Sequence, residues 1–215
     1  MNAVIDSLPQ YLQGFSLTLS LFFIGGISAI IFGTIVAAMR ISPVAGLRGA
    51  AVVYTEALRN TPLTLVFVFF VFVLPQLAPR LPYFASACVG LTLYTAPFIA
   101  EALRSGVNGV PIGQAEAARS LGMGFGQALT LVIFPQAFRM VIPPLINVLV
   151  ALAKNTSVAG GFFVAELFQV GKGLANSNGN SVIPILLGVG IFYLVITIPL
   201  GIVSSRLEKR WVVAR

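Results

Sequence analysis

Long stretches almost free of charge alternate with short segments that collect the polar and charged residues. A helix needs about 20 predominantly apolar residues to cross a bilayer. Windows of that kind predict five membrane-spanning helices, at 11–39, 50–74, 83–103, 137–154 and 182–204. The first apolar run, from residue 8 to 39, is about twice as long as the apolar part of a signal peptide and has no cationic leader before it. It is therefore expected to be retained as a helix. The fold class predicted is all-α and polytopic, a single transmembrane domain over residues 1–215 with the N-terminus outside and the C-terminus inside.

Composition supports a bilayer environment. Of 215 residues, 58% are hydrophobic and only 9% charged, against about 25% charged in an ordinary soluble domain. The net charge of +7 would suit nucleic acid, but the cations do not form a basic stripe with interleaved aromatics. They sit in the loops, and their distribution gives the orientation. With the N-terminus outside, Arg40, Arg48, Arg59, Arg104, Arg119, Arg139, Arg206, Lys209, Arg210 and Arg215 fall on the inner side, leaving Arg80, Lys172 and Lys154 outside. Arg206 to Trp211 then reads as an interfacial anchor, with cations facing lipid phosphate. There is no His and a single cysteine, Cys88, which removes the usual general base and most transition-metal site designs. No catalytic, metal or cofactor site is expected in this chain.

In the first span, Gly25, Ala29, Gly33 and Ala37 recur every four residues, a spacing that lets another helix approach closely. The most informative segment is the inner loop of about 105–135. Residues 114–121 are good helix formers, and Gly122 suits a left-handed stop. Leu121, Met123 and Phe125 are then left as an apolar knob that implies a socket on a partner.

Glu116-Ala117-Ala118, followed by Gly122, Pro135 and Gln136, resembles the coupling (EAA) loop of binding-protein-dependent ABC importer permeases. Leu58-Arg59-Asn60-Thr61-Pro62-Leu63 and Lys154-Asn155-Thr156-Ser157 resemble segments of the polar amino acid subgroup, most closely glutamate-importer permeases of actinobacterial type. The resemblance covers nearly the whole chain. It implies a type I importer permease of a bacterial inner membrane. Glu116, Ala117, Ala118, Leu121, Gly122 and Met123 would dock onto a separate ATPase. It further implies two ATP-binding cassette subunits, which hold the ATP and magnesium, an extracytoplasmic binding protein, and a second permease, with a heterodimer slightly favoured. A phosphate-binding G-x-x-x-x-G-K-[ST] string is missing, since Gly171-Lys172 is followed by Gly173.

Polar groups at membrane depth are costly and point to function. Asn60, Thr61 and Pro62 could form a helix break that offers backbone groups to a substrate, although a packing kink accounts for Pro62 equally well. Asn147, Lys154, Asn155, Thr156 and Ser157 form a second cluster, with capping of the fourth helix as its competing reading. The resemblance implies that permeases for basic amino acids carry a carboxylate just after the position of Asn147 and an Asp at that of Asn155. This chain has Val148 and Asn155, so glutamate, aspartate or a neutral amino acid such as glutamine is the expected substrate. Glu56 with Arg59 and Glu101 with Arg104 are spaced to pair on one helix face, and Glu166 is a candidate contact for the delivering protein. A Ser157–Lys154 hydrolase and an ATP-independent transporter or channel are the alternatives from other classes.

Overall fold

The computed structural model describes residues 2–212; Arg215, counted above among the inner cations, lies outside them. The described residues are helical almost throughout, in the order α1 (Asn2–Asp6), α2 (Leu8–Arg40), α3 (Ala45–Arg59), α4 (Leu63–Val68), a π-helical stretch (Phe69–Val73) and α5 (Leu74–Leu77). Then follow α6 (Tyr83–Asn108), α7 (Ile112–Ser120), α8 (Phe125–Gln127), a second π-helical stretch (Ala128–Ile133) and α9 (Phe134–Asn155). A 3-10 turn (Thr156–Phe162), α10 (Leu167–Ser177), a short 3-10 turn (Gly179–Ser181) and α11 (Val182–Val212) complete the chain.

Four helical stretches are long and apolar enough to cross a membrane, namely Leu8–Arg40, Tyr83–Asn108, Phe125–Phe162 and Gly179–Trp211. The expected second span is not one straight helix. It is the pair Ala45–Arg59 and Leu63–Leu77, bent by 104°, and the total is five if that pair counts as one crossing. The cause is local: Pro62 has no N–H to continue the ladder and sits extended at ψ 137°. The inner loop expected at about 105–135 is also shorter than hydropathy predicted. Helix α6 continues to Asn108 and the chain is helical again from Phe125. Charges such as Arg104 are paired, and others such as Arg139 are exposed, so they do not oblige the helices to stop.

The spacing of small residues in the first span does what it predicts. Gly25, Ala29, Gly33 and Ala37 are all buried, and α2 packs on α6 over its length. A Cβ on Gly33 would come within 2.7 Å of the Ala96 carbonyl oxygen and 2.8 Å of Ile99 Cβ, so only glycine permits that approach. A core of Leu21, Phe67, Ala87, Leu91, Leu152 and Ala153 joins α2, α4, α6 and α9. Contacts fix which helix ends lie together. At one end Arg40 meets Glu101, Gly106 faces Val141, and the Ser204 hydroxyl lies 3.3 Å from the Pro143 carbonyl oxygen. At the other, Tyr11 donates to the Ile185 carbonyl at 2.8 Å and the Tyr83 ring packs at a tilt against Phe163. Successive crossings therefore alternate in direction.

Candidate functional site

At the end that carries Arg40 and Glu101, α7 stands between α6 and α8 as a separate nine-residue helix, Ile112 to Ser120. Its C-terminus closes by two backbone bonds, Gly122 N–H to the Arg119 carbonyl at 2.9 Å and Met123 N–H to the Ala118 carbonyl at 3.1 Å. This is the glycine-terminated arrangement in which the residue after the cap turns left-handed, and Gly122 has φ +78°. Of the residues predicted to dock, Glu116, Ala117, Leu121 and Gly122 are exposed, Met123 is half-buried, and Ala118 alone is buried. Ile112, Leu121 and Phe125 are 78%, 83% and 74% exposed. The chain thus presents a short rigid helix flanked by apolar side chains, whose inner face is pinned through Ala118. The helix begins two residues before the expected 114 and ends one before 121, as terminal residues commonly shift.

The break at Asn60, Thr61 and Pro62 follows α3, and its polar groups turn back onto the helix they end. Asn60 Nδ2 donates to the Glu56 carbonyl at 2.8 Å and Thr61 Oγ1 to the Ala57 carbonyl at 2.8 Å. The Leu58 carbonyl accepts the Thr61 N–H at 3.4 Å. Around the break, Tyr54, Leu58, Thr61, Leu65, Phe69 and Leu93 line an apolar cavity of about 300 Å³.

The second polar cluster is spread along α9. Asn147 accepts from Ser204 at 3.0 Å, tying α9 to α11. Lys154 is exposed, Asn155 and Ser157 are half-buried, and Thr156 is fully buried. Thr156 and Ser157 donate to the Ala153 and Lys154 carbonyls, both at 2.7 Å, so their hydroxyls finish the helix. No side-chain hydrogen bond joins this group to Asn60 or Thr61 among the described residues, although α4, which follows the break, packs on the 3-10 turn that holds Thr156 and Ser157.

Two ionic centres are richer than the spacing suggested. Glu101 does pair with Arg104, at 2.9 Å, but it also meets Arg40 at the end of α2 and Arg59 at the end of α3, the latter at 3.8 Å. Arg59 therefore turns to Glu101 and Phe98 rather than to Glu56. Residues 40, 59 and 101 are far apart in sequence, and local spacing carries no signal of their meeting. Glu166 is the second correction. It is not a surface contact for another protein, being fully buried. Its carboxylate caps α10, accepting from the Phe168 and Gln169 N–H groups at 3.0 and 2.9 Å, and from Thr18 and Tyr193 at 3.3 and 2.7 Å. Burial pushes the Glu166 carboxyl above the usual carboxylate range, and those four donors pull it part of the way back. The sequence signal available was a carboxylate alone in an otherwise apolar segment, Phe162 to Phe168.

No group of His, Cys, Asp or Glu able to hold a metal occurs among the described residues.

Comparison with known proteins places this architecture. The chain is 41% identical to the glutamate transport system permease protein GluC of Corynebacterium glutamicum, with 96% of each chain covered. It is 40% identical to the probable glutamine ABC transporter permease protein GlnM of Bacillus subtilis, over 98% of this chain and 97% of that one. A crystal structure of an amino acid ABC transporter with histidines superposes with a TM-score of 0.88 at 27% identity, covering 96% of both chains. The inward-facing MetNI methionine ABC transporter shares the fold, with a TM-score of 0.76 at 20% identity and coverage of 96% of this chain and 98% of that one. Residues 7–213 match the family described as the binding-protein-dependent transport system inner membrane component. With the bundle, the isolated α7 and its glycine stop all in place, this chain belongs to that family of bacterial inner membrane transport components.

Proposed function

We propose that this chain is a permease subunit of an ATP-driven importer for a polar amino acid, with glutamate first and aspartate or glutamine next. Its N-terminus lies outside and its C-terminus inside, and residues 1–215 act as one transmembrane unit whose coupling loop is α7 and its flanks. The chain forms half of the translocation path and pairs with a second permease, either a copy of itself or a related chain. Two separate ATP-binding cassette subunits bind ATP and magnesium, and an extracytoplasmic binding protein delivers the substrate.

One observation carries this reading: α7 is a short, rigidly stopped helix with Leu121 83% exposed beside it. An apolar side chain so placed, outside the bundle and next to Glu116 and Ala117, suits a groove on another subunit. In the proposed mechanism, closure of the two ATPases pulls on α7, and Ala118, which is buried, passes the movement to the helices behind it. Glutamate is favoured by the names of the relatives and by Val148 and Asn155, which offer no carboxylate to a basic side chain. Asn60, Thr61, Pro62, Asn147, Lys154, Asn155, Thr156 and Ser157 are the proposed path residues.

The test is ATP-dependent uptake of labelled glutamate into proteoliposomes holding this chain, its ATPase and the binding protein. A Glu116→Lys variant, folded and inserted as the native chain, is expected to lower the initial rate about tenfold or more. Native uptake by that variant, or native uptake without ATP, would overturn the docking assignment. Competition by unlabelled glutamate, aspartate and glutamine but not by arginine is the expected specificity.

A further inference from the structure

Between α6, α7, α9 and α11, at the end of the bundle that carries the coupling helix, lies a cavity of about 550 Å³. Gln114, Gln136, Arg139, Met140, Glu208 and Trp211 are among its walls. Arg139 and Glu208 face the same space with opposite charges, yet no ion pair joins them among the described residues. The contrast with the same end of the molecule is informative. There Glu101 has drawn three guanidinium groups onto itself. Opposite charges that line one cavity without pairing with each other suit a guest that carries both signs, because each charge then gains a partner.

We infer that this cavity is a binding site for the zwitterionic head of a free α-amino acid, with the carboxylate on Arg139 and the ammonium on Glu208. Met140 and Trp211 give the side chain of the guest an apolar wall. The amides of Gln114 and Gln136, 3.4 Å apart, supply polar contacts at the α7 side. In the proposed orientation, on which this inference rests, the cavity opens where imported amino acid is released. Because Gln114 belongs to α7, an occupant braces the coupling helix against α9 and α11. Accumulated product would then slow further import. A zwitterionic lipid headgroup has the same pair of charges, and the experiment separates the two sources.

The assembled complex, or the chain with whichever subunits co-purify, is placed in nanodiscs of phosphatidylcholine, and equilibrium binding of labelled L-glutamine is measured with no binding protein present. N-acetyl-L-glutamine, which lacks the ammonium, and L-glutaminamide, which lacks the carboxylate, are expected to compete at least about tenfold more weakly, as loss of a charge-assisted contact requires. Arg139→Gln and Glu208→Gln replace exposed side chains and should keep the native melting temperature while weakening binding by a similar factor. Preloading proteoliposomes with glutamine is expected to slow uptake by the native complex and to lose that effect in both variants. No binding, or binding that neither variant changes, overturns the proposal. Displacement of glutamine by phosphatidylethanolamine in the discs overturns it in favour of a lipid headgroup. Failure of uptake for every amino acid would instead sink the importer reading, and the binding result would stand by itself.

Discussion

Tyr193 donates its hydroxyl to Glu166 at 2.7 Å and so ties the middle of α11 to the first residue before α10. Thr18 of α2 donates to the same oxygen and accepts the Leu167 N–H at 3.1 Å. Three elements therefore meet at one buried carboxylate. Glu166→Ala leaves the Phe168 and Gln169 N–H groups and the Tyr193 hydroxyl without their acceptor. Unmet buried donors cost about 1–3 kcal/mol each, so a net loss on the order of 3 kcal/mol is expected. Thermal unfolding of the detergent-solubilised complex should show it, with Glu166→Asp recovering part of the loss.

The same carboxyl predicts a pH dependence. Its ordinary value is 4.5, and burial raises it in the folded chain. A raised carboxyl pKa means that the folded state holds the proton more tightly than the unfolded state. The stability that this group contributes is thus greatest below its unfolded pKa and declines as pH rises through the folded value. Melting temperatures of the native chain measured from about pH 4 upward should contain this component, and Glu166→Gln should lack it. An identical slope in both proteins would contradict the assignment.

Glu101 is the common partner of Arg40, Arg59 and Arg104. Glu101→Ala leaves three cations facing one another in a partly buried site, and removing one member of such a pair costs about 3–5 kcal/mol when it is buried. Exposure of Arg59 and Arg104 reduces that figure, so about 2 kcal/mol is expected. A lower melting temperature, relieved in part by a second substitution, Arg59→Gln, would establish the charge origin.

Gly33→Ala inserts a methyl group 2.7 Å from the Ala96 carbonyl oxygen. Backbone cannot yield as a side-chain end can, so α2 and α6 must separate, at a cost of about 1–3 kcal/mol. The comparison is Gly25→Ala, where the nearest atom is Leu91 Cβ at 3.5 Å, an ordinary contact. Equal melting temperatures for the two variants would show that the close approach does not matter.

Gly122→Ala puts a Cβ on a residue at φ +78° with no atom within 4 Å of it. The cost is conformational strain alone, roughly 1 kcal/mol. Its measurable result should be reduced ATP-dependent uptake with nearly native melting, because only the end of α7 is disturbed.

The sequence by itself determined the bilayer class, the approximate crossings, the alternation of their directions, the helix at α7 and the glycine that ends it. These are consequences of local quantities: apolar run length, the dispersal of small residues, and the backbone freedom of Gly122. Tertiary structure alone decided that the second crossing bends by 104°, that Glu101 gathers arginines from two other helices, and that Glu166 is buried under α10. It also decided that Arg139 and Glu208, on different helices, line one cavity. Each of these depends on where distant segments are brought together, and periodicity along one helix carries no information about its neighbours.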